Sequence, residues 1–323
     1  MTGNDHATAA GTLAGRSPLL LAALGATCIS ASGILIKLAD TGPVTAAFFR
    51  CFLALPLLVA LALLERRKRG PRQPAAHVRA FVAGLFLAVD LVLWNHVIAE
   101  VGPGVATVLG NLQVLFVAIA AWALFRERPH RRFLVMLPVV MVGVVLVSGM
   151  VGGGAGGHPL AGIGYGIGTS AAYAGFLLVL RRTSASSPHV AGPLAEATAG
   201  AAFGSLLLGL AFGGMQWLIG WHSFGWLLLL ALSSQTLGWL MITSSLPRLP
   251  AAISSLTLLL QPAAAMLLAY IVLGERPTLI QVGGAVVVCG GVLAVSLAPA
   301  AEGTRTPGTP ATARAPVAAA DRA

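Results

Sequence analysis

Charge is what this sequence has least of. Only 9% of its 323 residues are Asp, Glu, Lys or Arg, against 57% hydrophobic. A soluble domain carries about 25% charged residues. With so few charges the surface of a soluble fold could not be covered, and the mean hydropathy of +0.88 agrees. Acid is scarcer still: 10 Asp and Glu face 20 Lys and Arg, leaving a formal charge of +10. Nucleic acid is not the expected partner, because the basic residues fall in short clusters between apolar runs and not on one face. Cysteine is nearly absent. Cys28, Cys51 and Cys289 each sit inside an apolar run, which excludes a disulfide framework and a thiolate metal site. No cofactor signature is present.

What is abundant is apolar sequence of one length. A bilayer-spanning helix needs about 20 apolar residues. Ten such runs are predicted, at 18–38, 43–64, 79–99, 103–124, 132–150, 160–180, 190–213, 224–245, 251–273 and 278–298. The loops between them alternate in charge. "ERRKRGPRQPAAHVR" at 65–79, "RERPHRR" at 126–132 and "RRTSASSPH" at 181–189 are basic; those at 39–43, 100–103, 151–159 and 213–222 hold no Lys or Arg. Lys and Arg stay on the cytoplasmic side, so both termini are expected there, in a multi-pass protein of the cell membrane. Residues 1–17 read as a disordered N-terminus. The run after Arg16 is longer than a signal-peptide core and reads as a retained span. Residues 299–323, rich in Ala, Thr and Pro, read as a disordered tail.

"ERP" occurs twice, each time at the end of an apolar run. Glu275 follows Glu127 by 148 positions. At the same offset Gln113 meets Gln261, Leu112 meets Leu260, and "VVMVGVVLVS" at 139–148 meets "VVCGGVLAVS" at 287–296. The chain is thus read as a tandem duplication, 18–150 and 160–298, joined by the Gly-rich segment 151–159. Five spans per copy is an odd number, so the second copy enters the membrane inverted. Inverted repeats mark secondary transporters, whose site lies between the halves near the midplane.

The two "ERP" helix ends, each followed by a span ending in Val-Ser, resemble the EamA domains of the drug/metabolite transporter superfamily. So does "ILIKLADTGPVTAAFFRCFLALPLLVALAL" at 34–63. The resemblance covers residues 18–298. It implies an all-α membrane protein of about ten helices in two inverted five-helix repeats, with cytoplasmic termini, a central cavity and alternating access. It also implies a small organic substrate (amino acid, metabolite or amphipathic drug), often exported.

Charge inside a bilayer is costly, so each intramembrane charge calls for an account. Arg50 lies about eight residues into the second run, Asp90 near the middle of the third, and Glu196 several residues into the seventh. Arg50 either holds an anionic group of the substrate or is the permanent partner of Asp90 or Glu196. Asp90 is too short and too central to snorkel, and reads as cavity-facing. Asp90 and Glu196 are the candidate proton carriers. Trp94 shares a helix face with Asp90 and is either a cavity aromatic or part of an interfacial belt. Gln113 and Gln261 recur at one register in mid-span, as cavity amides or as interhelical glue. Pro262 should kink the ninth span, whereas the fourth has Val114 there, so an asymmetric, gate-like kink is expected. Gln235, Trp239, Tyr173 and Ser30 are further cavity candidates for which a core position is the plainer reading.

The motif itself, Glu127 with Pro129 and Glu275 with Pro277, reads as a helix junction. Proline suits the first turn of the next helix, and the acid suits that helix's positive end. Small-residue spacings at Gly162, Gly164, Gly166 and Gly168, and again in the last span, read as packing faces, within a monomer or across a homodimer. Lipid, a small solute and coupling protons are the expected partners. An intramembrane enzyme is the rival class, but neither HExxH nor GxSxG occurs. A non-transporting scaffold is the other rival.

Overall fold

The computed structural model describes residues 18–127, 129–147, 159–185, 188–274 and 277–296. The predicted disordered ends, most of the Gly-rich connector, and Glu275 therefore lie outside the described residues. Backbone groups in hydrocarbon must be satisfied internally, so long apolar runs form helices. In chain order these are α1 (Pro18–Ser30), α2 (Ser32–Ala39), α3 (Pro43–Arg69), α4 (Pro74–Asn111), α5 (Gln113–Phe125), α6 (Arg131–Val147), α7 (Pro159–Ala185), α8 (Ala191–Phe212), α9 (Trp221–Leu230), α10 (Trp239–Ser245), α11 (Ala251–Leu258), α12 (Leu260–Leu273) and α13 (Leu279–Ser296). No strand occurs among the described residues. Seven helical stretches are long and apolar enough to cross a bilayer. The helices over the predicted fourth, fifth and tenth spans are shorter.

α4 corrects the expected loop at 100–103. It stays helical over 38 residues, about 57 Å if straight. It is not straight. A Cβ on Gly110 would collide with the Trp94 ring, although a straight helix would separate the two by about 24 Å. The neighbours Thr169 and Ser170 of α7 also touch both limbs, at the carbonyls of Asp90 and Leu109. The third and fourth predicted spans are therefore the limbs of one hairpin whose bend keeps helical bonding.

Three of the predicted spans are broken. The first breaks at Ala31, where the Ser30 and Ser32 hydroxyls donate to the carbonyls of Ala26 (2.7 Å) and Ile29 (2.5 Å). The ninth breaks between α11 and α12 at Leu259, three residues before Pro262. The proline lacks the N–H that would bond the Leu258 carbonyl. The expectation that only the ninth span is interrupted here is corrected, because α4 and α5 part at Leu112, one position from the equivalent of the Leu259 break and with no proline nearby. There the Ser170 hydroxyl lies 2.6 and 3.1 Å from the carbonyls of Leu109 and Gly110 and shares its one proton between them, while the Leu112 N–H also reaches the Leu109 carbonyl at 3.1 Å. A π-helical stretch, Ala231–Gly238, joins α9 to α10.

The duplication shows in the packing of α6 on α13. A Cβ on Gly143 would press on Val288, and one on Gly291 would press on Val140. These contacts are related by the same 148-residue offset. Residue i meets j, and the equivalent of i meets the equivalent of j, as across a two-fold axis. The main core joins Ala26, Cys51, Leu58, Leu87, Val117, Phe176, Leu194 and Trp239 from both repeats. Outward-facing Phe52, Trp122, Leu207 and Val286 remain exposed, as suits a lipid-facing surface. The three free cysteines make no disulfide.

Candidate functional site

α3 begins at Pro43 and brings Arg50 inward two turns later. Arg50 is only 7% exposed. Its Nε donates to Gln235 Oε1 at 3.1 Å, and Gln235 Nε2 donates to Thr198 Oγ1 at 3.2 Å. Gln235 sits in the π-helical stretch, whose wider turn re-aims side chains and is frequent at functional sites. Among the described residues the Nε bond is the side-chain hydrogen bond that Arg50 makes.

Asp90 lies within electrostatic reach of Arg50 without an ion pair between them. It is held instead by Thr169, whose hydroxyl donates to Asp90 Oδ1 at 2.5 Å and lies 3.0 Å from the Asp90 carbonyl. Tyr173, one turn after Thr169 on α7, is within electrostatic reach of both charges, and its hydroxyl faces the Gln261 amide. Gln261 Nε2 is nevertheless buried without a formal hydrogen-bond partner. So two opposite charges, a phenol and two amides converge from both repeats, with only part of their hydrogen-bonding capacity used.

Not every expected residue joins this group. Gln113 is buried, with Oε1 unpartnered, and makes no hydrogen bond with Arg50 or Asp90. Trp239 is 2% exposed and packs its ring on Phe176 (4.8 Å) and Tyr173 (6.2 Å), so it forms the apolar wall. Trp94 fills the α4 hairpin against Gly110. The Ser30 hydroxyl is spent on its own helix. Glu196 lies elsewhere, as a pair with Arg72 Nη1 (2.7 Å) and His77 Nδ1 (2.5 Å). Thr169 and Thr198 are the residues that sequence reading missed. Their only signal is a hydroxyl in an apolar helix, which ordinarily bonds its own helix.

The end of the bundle that carries Arg66–Arg69, Arg131, Arg181 and Arg248, here the basic end, holds a second polar arrangement. Arg126 closes α5 in a left-handed turn (φ 56°), and the Glu127 N–H returns to the Ala121 carbonyl. This throws Glu127 across to the other repeat. Its Oε1 accepts from Arg181 Nη1 at 2.7 Å and its Oε2 from Ala251 N at 3.2 Å. The junction reading is thereby corrected: Glu127 serves the N-terminus of α11 and not that of α6. Pro129 precedes the capping residue His130, whose carbonyl takes the first helical bond from Leu134. Pro277 likewise precedes Thr278, which forms a reciprocal capping box with Gln281. Glu65 makes a second tie between the repeats, accepting from Val190, Ala191 and Gly192 N–H at 2.8, 2.8 and 3.1 Å. Among the described residues no three His, Cys, Asp or Glu cluster as metal ligands would.

A family model described as "EamA-like transporter family" matches this chain twice, over residues 16–149 and 160–297. The boundary between the two matches falls in the Gly-rich connector. A solved structure described only as "Crystal structure of protein" superposes with a TM-score of 0.73 over 87% of this chain and 99% of its own, at 17% identity. At that identity the likeness concerns the fold alone. No curated protein sequence matches.

Proposed function

Because the chain belongs to the EamA-like transporter family, we propose that it is a secondary transporter moving a small organic solute across the cell membrane by alternating access. The observation that carries this reading is the buried group of Arg50, Asp90, Tyr173, Gln235 and Gln261, drawn from both repeats and left partly unsatisfied. A purely structural ion pair would close on itself; these charges are instead each held by a neutral neighbour. The terminal guanidinium nitrogens of Arg50, which donate in a planar fork, suit an anionic group of the substrate, and Asp90 suits a cationic or hydrogen-bond-donating one. Ten spans are proposed, the short helices α5, α6 and α13 included, with both termini cytoplasmic because the basic end then faces the cytoplasm. Export is the proposed direction.

Proton coupling through Asp90 is part of this reading, since Asp90 is the acid within the group. Glu196, paired at the basic end, is the weaker carrier. Counterflow in proteoliposomes tests transport: preloaded solute should drive uptake of labelled solute in the wild type and fail in Arg50→Gln. Inert behaviour across a broad panel of metabolites would sink the reading. For coupling, Asp90→Asn should flatten the pH dependence of counterflow; an unchanged profile assigns the proton elsewhere.

A further inference from the structure

At the basic end, away from the central group, a cavity of about 410 Å³ lies between the end of α7, the start of α8 and the end of α10. Ser184, His189, Thr243, Ser244, Pro247 and Arg248 line it. Ser184 is 3% exposed and Thr243 0%, yet neither hydroxyl oxygen has a hydrogen-bond partner. Their neighbours behave differently. Thr183, Ser244 and Ser245 donate to carbonyls of their own helices at 2.8, 2.7 and 2.8 Å. A buried hydroxyl in a helix has that local bond available, and one left without it incurs the desolvation cost of a polar group. Two such groups on facing helices, both lining one cavity, call for a ligand.

The charge around the cavity gives the ligand's sign. Arg248 is exposed at the rim and makes no ion pair or hydrogen bond with the described residues. No acid lines the cavity. Glu65, which accepts from the backbone of the cavity-lining Val190, is already occupied by three backbone N–H groups and Arg69. His189 forms wall, since its Nε2 is engaged with the Gly70 carbonyl at 3.1 Å. A guanidinium and two hydroxyls can each donate to a separate oxygen of one tetrahedral anion.

We propose that this cavity binds a phosphate group, supplied either by an anionic lipid headgroup at the membrane surface or by a soluble phosphate ester. The site is distinct from the transport site and touches the end of the bundle that Glu127 and Arg181 hold together. Arg181 Nε donates to the Leu246 carbonyl at 3.3 Å, and Leu246 starts the turn that carries Arg248. A bound phosphate therefore ties α7 to α10 beside that contact and stabilises it.

The test uses the full chain. One arm follows thermal unfolding in neutral detergent against inorganic phosphate, with chloride at matched ionic strength as control. The other compares nanodiscs of phosphatidylcholine alone with nanodiscs containing phosphatidylglycerol. A saturable rise in Tm is expected in at least one arm, because a ligand that binds the folded state stabilises it. A rise with phosphate assigns a soluble ester; a rise with phosphatidylglycerol alone assigns lipid. Arg248→Gln, an exposed change that leaves the core intact, should weaken the apparent affinity about tenfold or more. Ser184→Ala with the near-isosteric Thr243→Val should weaken it again. Absence of a saturable rise in both arms, or a rise of equal affinity in wild type and Arg248→Gln, overturns the proposal.

Discussion

Arg50 is held by one of its three nitrogens, and that grip passes through Gln235 to Thr198. Gln235→Leu removes the link and leaves two buried polar groups without partners, at a cost of about 1–3 kcal/mol each. A lowered Tm is expected, larger than for Thr198→Val, which frees only one end of the amide. Arg50→Lys keeps the charge but loses the planar fork. The expected result is a raised apparent KM for solute in counterflow with normal folding, since a point charge cannot reproduce bidentate contacts. Arg50 and Asp90 were legible in the sequence because a charge in an apolar run is anomalous wherever it falls. Glu196 carried the same anomaly with another outcome. It lies five residues into α8, near enough to the basic end to meet Arg72, and depth of that fineness is not written in composition. Thr169 and Thr198 were illegible for the opposite reason: a hydroxyl has a partner available in its own helix, so nothing in the sequence marks the one that turns away.

The breaks in the spans belong to the element scale. The ninth span has a proline to explain its break and the fourth has none, yet the two breaks fall within one residue of equivalent positions. The geometry is therefore imposed by the repeat, and the proline only accommodates it. Pro262→Ala should leave the protein folded, with a change in Tm of a few degrees at most. Ser170→Ala should be worse, because the fourth-span break loses its hydroxyl donor from α7 while the Leu109 carbonyl keeps the Leu112 N–H, a loss of about 0.5–1.5 kcal/mol by thermal unfolding. Seven of the ten predicted spans correspond to helical stretches long and apolar enough to cross a bilayer, and the family model matches twice, over 16–149 and 160–297. Sequence alone missed the helical bend of α4, because "EVGPG" contains the residues that ordinarily interrupt a helix, and packing against α7 overrode them.

At the scale of the molecule, the repeats meet in two unlike ways. At the basic end they are tied by Glu127 to Arg181 and Ala251, by Glu65 to the start of α8, and by Glu196 to Arg72 and His77. These are polar, partly solvated contacts that can be exchanged for water. Glu127→Gln and Arg181→Gln should each lower stability modestly and combine less than additively, with a coupling of about 1 kcal/mol or less in a double-mutant cycle. Full additivity would mean the pair contributes nothing. The seam of α6 on α13 is different in kind. Gly143 against Val288 and Gly291 against Val140 are apolar contacts between like surfaces, and Gln281 Nε2 of α13 reaches the Val147 carbonyl of α6 at 3.4 Å near the end of the seam. Under the alternating access proposed above, one contact between the repeats must act as an axle while others open as latches, and this seam has an axle's properties. A disulfide engineered between positions 143 and 288 should then spare counterflow, while a bifunctional thiol crosslinker joining cysteines placed at 127 and 181 should stop it.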